Sequence, residues 1–214
     1  MKFSNLQPLP ARVLALRTIA RADDALVAAW NLPEGMTSLG FITCTSDDAL
    51  YVALDEGTKA AAVEVVYARS FYAGAAHASG PLSGEVLGVY AAKDPAEIQA
   101  ALEACVRCLE HDACFYAADA AGQLAIFPHV VRSTGRWLAK EAGIEVGAPL
   151  AYLVAPPLES MIGLDAALKV APVTLKKWFG PPTETNFGGA YLTGTIADCE
   201  AAAEAFAAAV VDVA

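Results

Sequence analysis

The residue types best suited to metal chemistry form one spaced row, Cys105-x-x-Cys108-x-x-His111-x-x-Cys114. Thiolate and imidazole ligands suit zinc or an iron–sulfur cluster. Residues 105–111 are predicted to be helical, however, and a spacing of three rotates successive side chains by about −60°, so the four do not converge on one point. Small buried residues on the inner face of a helix account for the same pattern. The sequence leaves both interpretations open.

A second candidate is the acidic pair Asp47-Asp48, which directly follows a short apolar segment at 38–43. Neighbouring residues of an extended chain point to opposite faces, so the two carboxylates converge only where the backbone turns. From the residues alone, the plainer interpretation is that Ser46-Asp47-Asp48 caps a loop or a helix.

Patterns typical of enzymes are missing. The sequence has no G-x-S-x-G, no phosphate-binding loop, no G-x-G-x-x-G after a strand and no H-E-x-x-H. His77 has serines nearby, but closeness in sequence does not make a catalytic triad. We therefore predict a protein that is not an enzyme.

Charge and composition exclude several classes of protein. The chain has 214 residues, of which 56% are hydrophobic, and its net charge is −10. This composition excludes disorder, and the lack of a basic stripe predicts no nucleic-acid partner. An anionic membrane would repel such a chain, and we find neither a signal peptide nor a membrane-spanning segment. The five cysteines, an odd number, are expected to be free thiols in the cytoplasm.

The segments that must position these side chains occur as two copies of an internal sequence repeat. Residues 54–68, LDEGTKAAAVEVVYA, and residues 164–178, LDAALKVAPVTLKKW, share the order Leu, Asp, Lys and then a β-type segment. Apolar strand-like segments precede both, and further back 12–30 and 129–144 show near-helical apolar spacing. Each copy ends in a glycine-containing strand and a helix with an N-terminal capping signature, at Asp94-Pro95 and at Thr195–Asp198.

This order predicts two tandem domains, at 1–113 and 114–214. Each domain is expected to contain, in chain order, a helix, a strand, a helix, a strand, a loop, a strand and a helix. A strand, the Asp-x-x-x-Lys helix and a second strand form a crossover unit, for which we expect parallel pairing. The predicted class is α+β, with helices packed on a mixed sheet.

Long strings of the sequence resemble EutL-like shell proteins of bacterial microcompartments, which serve ethanolamine utilisation. They are SLGFITCTSDDALYVALDEGTKAAAVEVVYARSFYAGAAHASGPLSGEVLG, AYLVAPPLESMIGLDAALKVA and PPTETNFGGAYLTG. The resemblance covers nearly the whole chain. It implies two circularly permuted microcompartment (BMC) domains, a homotrimer that forms a pseudo-hexameric tile, and contacts with other shell proteins along the tile edges. It also implies pores for small molecules and a location in a microcompartment of the cytoplasm.

The resemblance also implies roles for particular residues. The small-pore ethanolamine site would consist of Asp47, Asp48, Glu85, Phe115, Thr185, Asn186 and Phe187. Carboxylates suit a protonated amine, and an aromatic face adds cation–π attraction. His129 and Glu159 would be zinc ligands, and Lys59 and Lys169 would lie at tile edges. Zinc and cobalamin are linked to the family, although the chain is expected to require no cofactor.

One alternative function stays open at this level. A protein that binds or senses a small amine without assembling into a shell would need the same acidic pair. The two functions predict different oligomers, because only the shell subunit needs a ring of several chains.

Overall fold

The computed structural model describes residue 3 and residues 5–70, 86–122, 124–180 and 187–214. The strands, in chain order, are β1 (Gln7–Pro10), β2 (Val13–Ile19), β3 (Ser38–Cys44), β4 (Glu64–Ser70), β5 (Val86–Ala92), β6 (Cys114–Ala117), β7 (Ala125–Val131), β8 (Leu150–Ala155), β9 (Thr174–Phe179) and β10 (Gly188–Thr193). The helices are α1 (Asp24–Ala29), α2 (Asp47–Ala60), α3 (Pro95–His111), α4 (Arg136–Ala142), α5 (Pro157–Val170) and α6 (Ile196–Val211). No helix among these residues is both long and apolar enough to cross a membrane.

The chain divides into two compact units. The N-terminal unit comprises Ala11–Ala113 and Gly135–Leu138, and the C-terminal unit comprises Met1–Pro10, Cys114–Thr134 and Ala139–Ala214. The predicted boundary between 113 and 114 coincides with one change of unit. The units differ from the predicted domains at two short segments. Met1–Pro10 belongs to the C-terminal unit, and Gly135–Leu138 belongs to the N-terminal unit.

The first of these segments is β1. It pairs with β6 in the C-terminal unit, with Leu9 opposite Phe115, whereas the predicted bounds place residues 1–10 in the first domain. Nothing in the local sequence of a four-residue strand specifies a partner about a hundred residues away, because pairing depends on a non-local register.

One four-stranded sheet belongs to the N-terminal unit, with the strand order β2-β3-β5-β4. Helices α2 and α3 pack together and against this sheet. Tyr90 of β5 lies at the centre, where its hydroxyl donates to the carbonyl oxygen of Leu54 at 2.8 Å. A Cβ on Gly57 would lie 2.0 Å from that hydroxyl oxygen, so only glycine lets the helix approach β5 this closely.

The C-terminal unit repeats this plan with two strands added. Its sheet has the order β1-β6-β7-β8-β10-β9, in which the last four strands follow the order of the N-terminal sheet. Helices α5 and α6 cover it around the buried ring of Phe206. The repeat is regular in the sequence as well: α2 and α5 have 14 residues each and stand 110 positions apart.

Capping signals in the sequence are confirmed. The carboxylate of Asp94 accepts the N–H of Ala96 at the start of α3, where Pro95 occupies the first turn. Thr195 and Asp198 form a reciprocal capping box at the start of α6. Both signals act over two or three residues, which is why the local sequence suffices to predict them.

The expected helix over 12–30 is wrong, and so is its counterpart over 129–144. Residues Val13–Ile19 and Ala125–Val131 are strands, and each is followed only by a short helix, α1 or α4. Apolar residues at near-helical spacing are compatible with either structure over so short a segment. Pairing with β3 and β8 decides in favour of strands.

Parallel pairing is also wrong. Strands β3 and β4 do run in the same direction, as a crossover requires, but β5 lies between them and pairs antiparallel with both. Every strand pair among the described residues is antiparallel. The α+β class stands, with antiparallel sheets in place of mixed ones.

Candidate functional site

The acidic pair lies at the start of α2. Asp47 and Asp48 form its first turn, directly after β3, with Ser46 in the N-cap position. Asp48 is only 8% exposed. The positive end of a helix dipole stabilises carboxylates in the first turn. The pair therefore begins a helix, as the plainer interpretation had it, and it also places one carboxylate in a buried position.

The hydroxyl groups of Tyr51 and Ser70 form a hydrogen-bonded chain that ends at the Asp47 carboxylate. Ser70 Oγ donates to Asp47 Oδ2 at 2.6 Å, and the Tyr51 hydroxyl lies 2.8 Å from the same Ser70 oxygen. Since the single hydroxyl proton of Ser70 goes to Asp47, Tyr51 donates to Ser70. Burial, with smaller contributions from Asp47 and Asp48, raises the pKa of Tyr51 to about 12. Tyr51 is therefore a neutral donor at physiological pH, and this relay orients the Asp47 carboxylate.

Tyr51 and Ser70 are functional candidates that the sequence analysis missed. Ser70 is the last residue of β4 and Tyr51 lies one turn into α2, so 19 positions separate them. No short-range pattern joins a helix residue to the end of the following strand. Only the hydrogen bonds that join Tyr51 to Ser70 and Ser70 to Asp47 identify them.

The predicted aromatic residues lie in the C-terminal unit. Phe115 of β6 and Phe187, just before β10, have ring centroids 5.8 Å apart in an edge-on arrangement. Phe115 also packs on Phe127 at 4.9 Å. Two of the predicted aromatic side chains thus form one cluster, and an aromatic face of this kind can attract an ammonium group.

Three predicted site residues, Glu85, Thr185 and Asn186, lie outside the described residues. Asp47 and Asp48 belong to the N-terminal unit, whereas Phe115 and Phe187 belong to the C-terminal unit. The full set of seven ligand-binding residues therefore stays a prediction.

The predicted zinc ligands belong to two elements of the C-terminal unit. His129 lies on β7, half-buried, with its ring stacked on Phe127 at 5.2 Å between centroids. Glu159 lies in the first turn of α5. Structural zinc needs four ligands as a rule. The described residues contain no group of three or more His, Cys, Asp or Glu side chains that could hold a metal ion. The residues described do not fit a complete zinc site.

The cysteine row is not arranged as a metal centre in the part of the chain that the structure describes. Cys105 and Cys108 are buried on α3, His111 at the end of that helix has 71% of its side chain exposed, and Cys114 lies on β6. Burial raises the pKa of Cys108 to about 12, and it raises the pKa of Cys105 and Cys114 as well. Since the thiolate is the metal ligand, these shifts oppose binding. All five cysteines are free thiols, as expected.

The two predicted tile-edge lysines lie at equivalent places near the ends of α2 and α5. Lys59 forms an ion pair with Glu56, and Lys169 forms one with Asp165 at 2.6 Å. The equivalence is confirmed by the matching helices, while a role at a tile edge stays a prediction.

Comparison with known proteins places these features in a family. The BMC domain model matches residues 38–120. The bacterial microcompartment shell protein EutL of Salmonella typhimurium is 50% identical over 94% of this chain and 92% of its own length. EutL of Clostridium perfringens is 48% identical over 100% of this chain and 97% of its own.

Solved structures agree. The crystal structure of ethanolamine utilization protein EutL from Leptotrichia buccalis superposes with a TM-score of 0.93 at 47% identity, and covers 97% of this chain and 96% of its own. A trimeric bacterial microcompartment shell protein, PduB, has a TM-score of 0.75 at 20% identity, a likeness that concerns the fold alone. The curated relatives are shell proteins and not enzymes, in agreement with the expectation from the missing catalytic motifs.

Identity near one half over almost the entire length, together with the duplicated fold, leaves one assignment. This chain belongs to the EutL family of bacterial microcompartment shell proteins.

Proposed function

We propose that the chain assembles as a homotrimer in which six similar units form one tile of a microcompartment shell. The observation that carries this proposal is the duplicated unit. Helices α2 and α5, and the four strands packed beneath each, follow the same order in both halves. Three chains of two similar units complete a six-membered ring when a head-to-tail contact closes by rotation.

Tiles of this kind join edge to edge with other shell proteins. Lys59 and Lys169 are proposed to lie at those edges, and equivalent positions on α2 and α5 support a like environment for both. Zinc and cobalamin remain associations that rest on the family. The incomplete ligand set around His129 and Glu159 argues against a zinc site formed by those two residues alone.

The oligomeric state distinguishes the shell function from the alternative function of a small-amine carrier or sensor. We expect light scattering to give a mass close to three times 22.2 kDa, and electron microscopy to show flat sheets at high concentration. A chain that stays monomeric at every concentration and still binds ethanolamine would establish the carrier instead.

We further propose that ethanolamine binds through Asp47 and Asp48. The described residues support this with one buried and one hydroxyl-oriented carboxylate in adjacent positions. The ammonium group supplies three donors, and hydrogen bonds between charged partners are worth about 1.5–3 kcal/mol each.

The binding prediction is tested by calorimetric titration of Asp47→Asn and Asp48→Asn. Each substitution removes a charge but keeps an acceptor, and we expect the Kd for ethanolamine to rise about tenfold or more. Glu64→Gln is the matched control, since Glu64 is an exposed acid on β4 of the same unit. Ethylene glycol, which lacks the positive charge, should give no measurable heat. Equal affinity in all three variants would remove the acidic pair from the site.

A further inference from the structure

Helix α5 carries an apolar stripe on its outer face. Leu158 is 79% exposed and Ile162 is 50% exposed, and Met161 and Leu168 are exposed beside them. With Asp165 and Lys169 these residues recur at spacings of three and four, which places them on one side of the helix. The opposite side, with Gly163, Leu164 and Ala167, is buried. Exposed apolar patches of this kind mark interaction surfaces.

The same stripe is buried on α2. The residues 110 positions earlier are Asp48, Tyr51, Val52, Asp55, Thr58 and Lys59. Val52, Asp55 and Thr58 are at most 1% exposed. One repeat therefore has its outer helix face covered, while the other repeat leaves the matching face open.

The cover on α2 is the segment 135–138 at the start of α4, which clusters with the N-terminal unit. Asp55 accepts the backbone N–H groups of Gly135 at 2.5 Å and Leu138 at 2.9 Å. The Trp137 ring lies 5.7 Å from that of Tyr51.

The repeat identifies the counterpart of this cover. Strands β2 and β7 stand 112 positions apart, so the counterpart of Gly135–Leu138 is Asp23–Leu26 at the start of α1. Asp23, Asp24 and Ala25 are exposed, and no residue of the described chain covers the stripe on α5. The two surfaces are thus open together within a single chain.

We infer that the α5 stripe of one copy binds residues 23–26 of a second copy, an assignment that rests on the proposed homotrimer and names its contact. The two faces are unlike each other, so each chain offers both halves of the contact. Such a heterologous contact closes into a ring when the rotation permits.

Differences between the two repeats show what holds this second contact. Gly135 fits against α2 because a Cβ there would lie 2.5 Å from the Thr58 hydroxyl, whereas its counterpart Asp23 has a side chain and the counterpart of Thr58 is Leu168. The hydrogen-bonded contact on α2 is therefore replaced by an apolar one on α5.

The charged residues also differ between the contact on α2 and the proposed contact on α5. Arg136 donates to the carbonyl oxygens of Ala61 and Val63 just beyond α2, a helix that carries Glu56. In the second contact Asp24 takes the place of Arg136, and Ala166 takes the place of Glu56. An acid thus faces the C-terminal end of α5, where Lys169 is the basic residue of the last turn and forms an ion pair with Asp165. Lys59, at the matching position of α2, keeps 29% of its side chain exposed beside segment 135–138. Lys169 is expected to lie likewise at the rim of the second contact, where it stays accessible to a tile edge.

The test is the mass of the full-length protein over a dilution series, measured by mass photometry. Ile162→Glu places a charge in the apolar contact and should raise the concentration of half-dissociation about a hundredfold or more. Lys169→Glu and Asp24→Lys should each raise it about tenfold, and the double variant should return to within about threefold of the parent. Lys140→Glu, at an exposed position on α4, is the control and should leave the mass unchanged.

Each outcome decides a separate point. The substituted side chains are exposed in the single chain, so circular dichroism should stay that of the parent. A parent trimer that all three single variants leave intact overturns this contact and keeps the proposed shell function. Failure of the double variant to recover overturns the pairing of Asp24 with Lys169. A parent that never exceeds the monomer mass overturns the contact and the homotrimer together.

Discussion

Asp55→Ala should unfold the N-terminal unit more readily, with a loss of about 2–4 kcal/mol in the free energy of unfolding. The Asp55 carboxylate is fully buried and accepts the N–H groups of Gly135 and Leu138. Alanine would leave both donors buried without a partner, and each such donor costs about 1–3 kcal/mol. Urea denaturation measures the loss, and hydrogen exchange locates it at residues 135–138.

Asp165→Ala is the matched control, because Asp165 is the counterpart of Asp55 in α5 and has 63% of its side chain exposed. Exchange at residues 135–138 should not change in this variant. Unaltered exchange there in Asp55→Ala would show that the carboxylate does not hold the segment.

The same side chain predicts a dependence on pH. Burial, the largest influence, raises the pKa of Asp55 above its ordinary value of 3.8, against the opposing effect of the two N–H donors. Between 3.8 and the raised pKa the folded chain binds more protons at this site than the unfolded chain. The contribution of Asp55 to stability is therefore complete below 3.8 and declines as the pH rises through the folded pKa.

Asp55→Asn removes this titration. The stability of the parent relative to the variant should fall across that window as the pH increases, which a series of urea titrations measures. A difference that rises with pH would reverse the sign of the shift.

Gly189→Ala should destabilise the C-terminal unit by about 3 kcal/mol. A Cβ at this position would lie 2.0 Å from the carbonyl oxygen of Leu153 and 3.0 Å from the Cα of Val154. These are backbone atoms of β8, with which β10 pairs, so no rotamer change relieves the clash. The two strands would have to separate. For a chain of this length we expect the Tm to fall by roughly 6–12 °C, measured by calorimetry.

Gly180→Ala is the control, because Gly180 directly follows β9, the strand that pairs with β10. Among the described residues, the atoms nearest to a Cβ there belong to the ring of Trp178, at 3.3 Å, and that side chain is 58% exposed. Since an exposed ring can turn aside, the Tm should move by about 2 °C at most. Equal losses in the two variants would contradict a specific clash with β8.

Several features of the fold, and the family, can be predicted from the sequence alone. The two LD-x-x-x-K segments predict two equivalent helices, and the structure confirms them as α2 and α5 with identical lengths. The caps at Asp94 and Thr195 are equally local, since a capping side chain reaches a backbone N–H two or three residues away. The long strings shared with EutL-like proteins identified the family, because a match of that length does not depend on knowing the contacts.

Contacts between distant residues were decided only in three dimensions. The insertion of β5 between β3 and β4, the pairing of β1 with β6 and the strand at Val13–Ile19 all depend on partners far away in the chain. Periodicity shows which face of a segment is apolar, but it does not show which partner covers that face. Asp55 and Asp165 occupy the same place in the repeated motif, yet one is buried under segment 135–138 and the other is exposed. The shared Leu-Asp-x-x-x-Lys motif cannot distinguish them, since burial is a property of what packs against the residue.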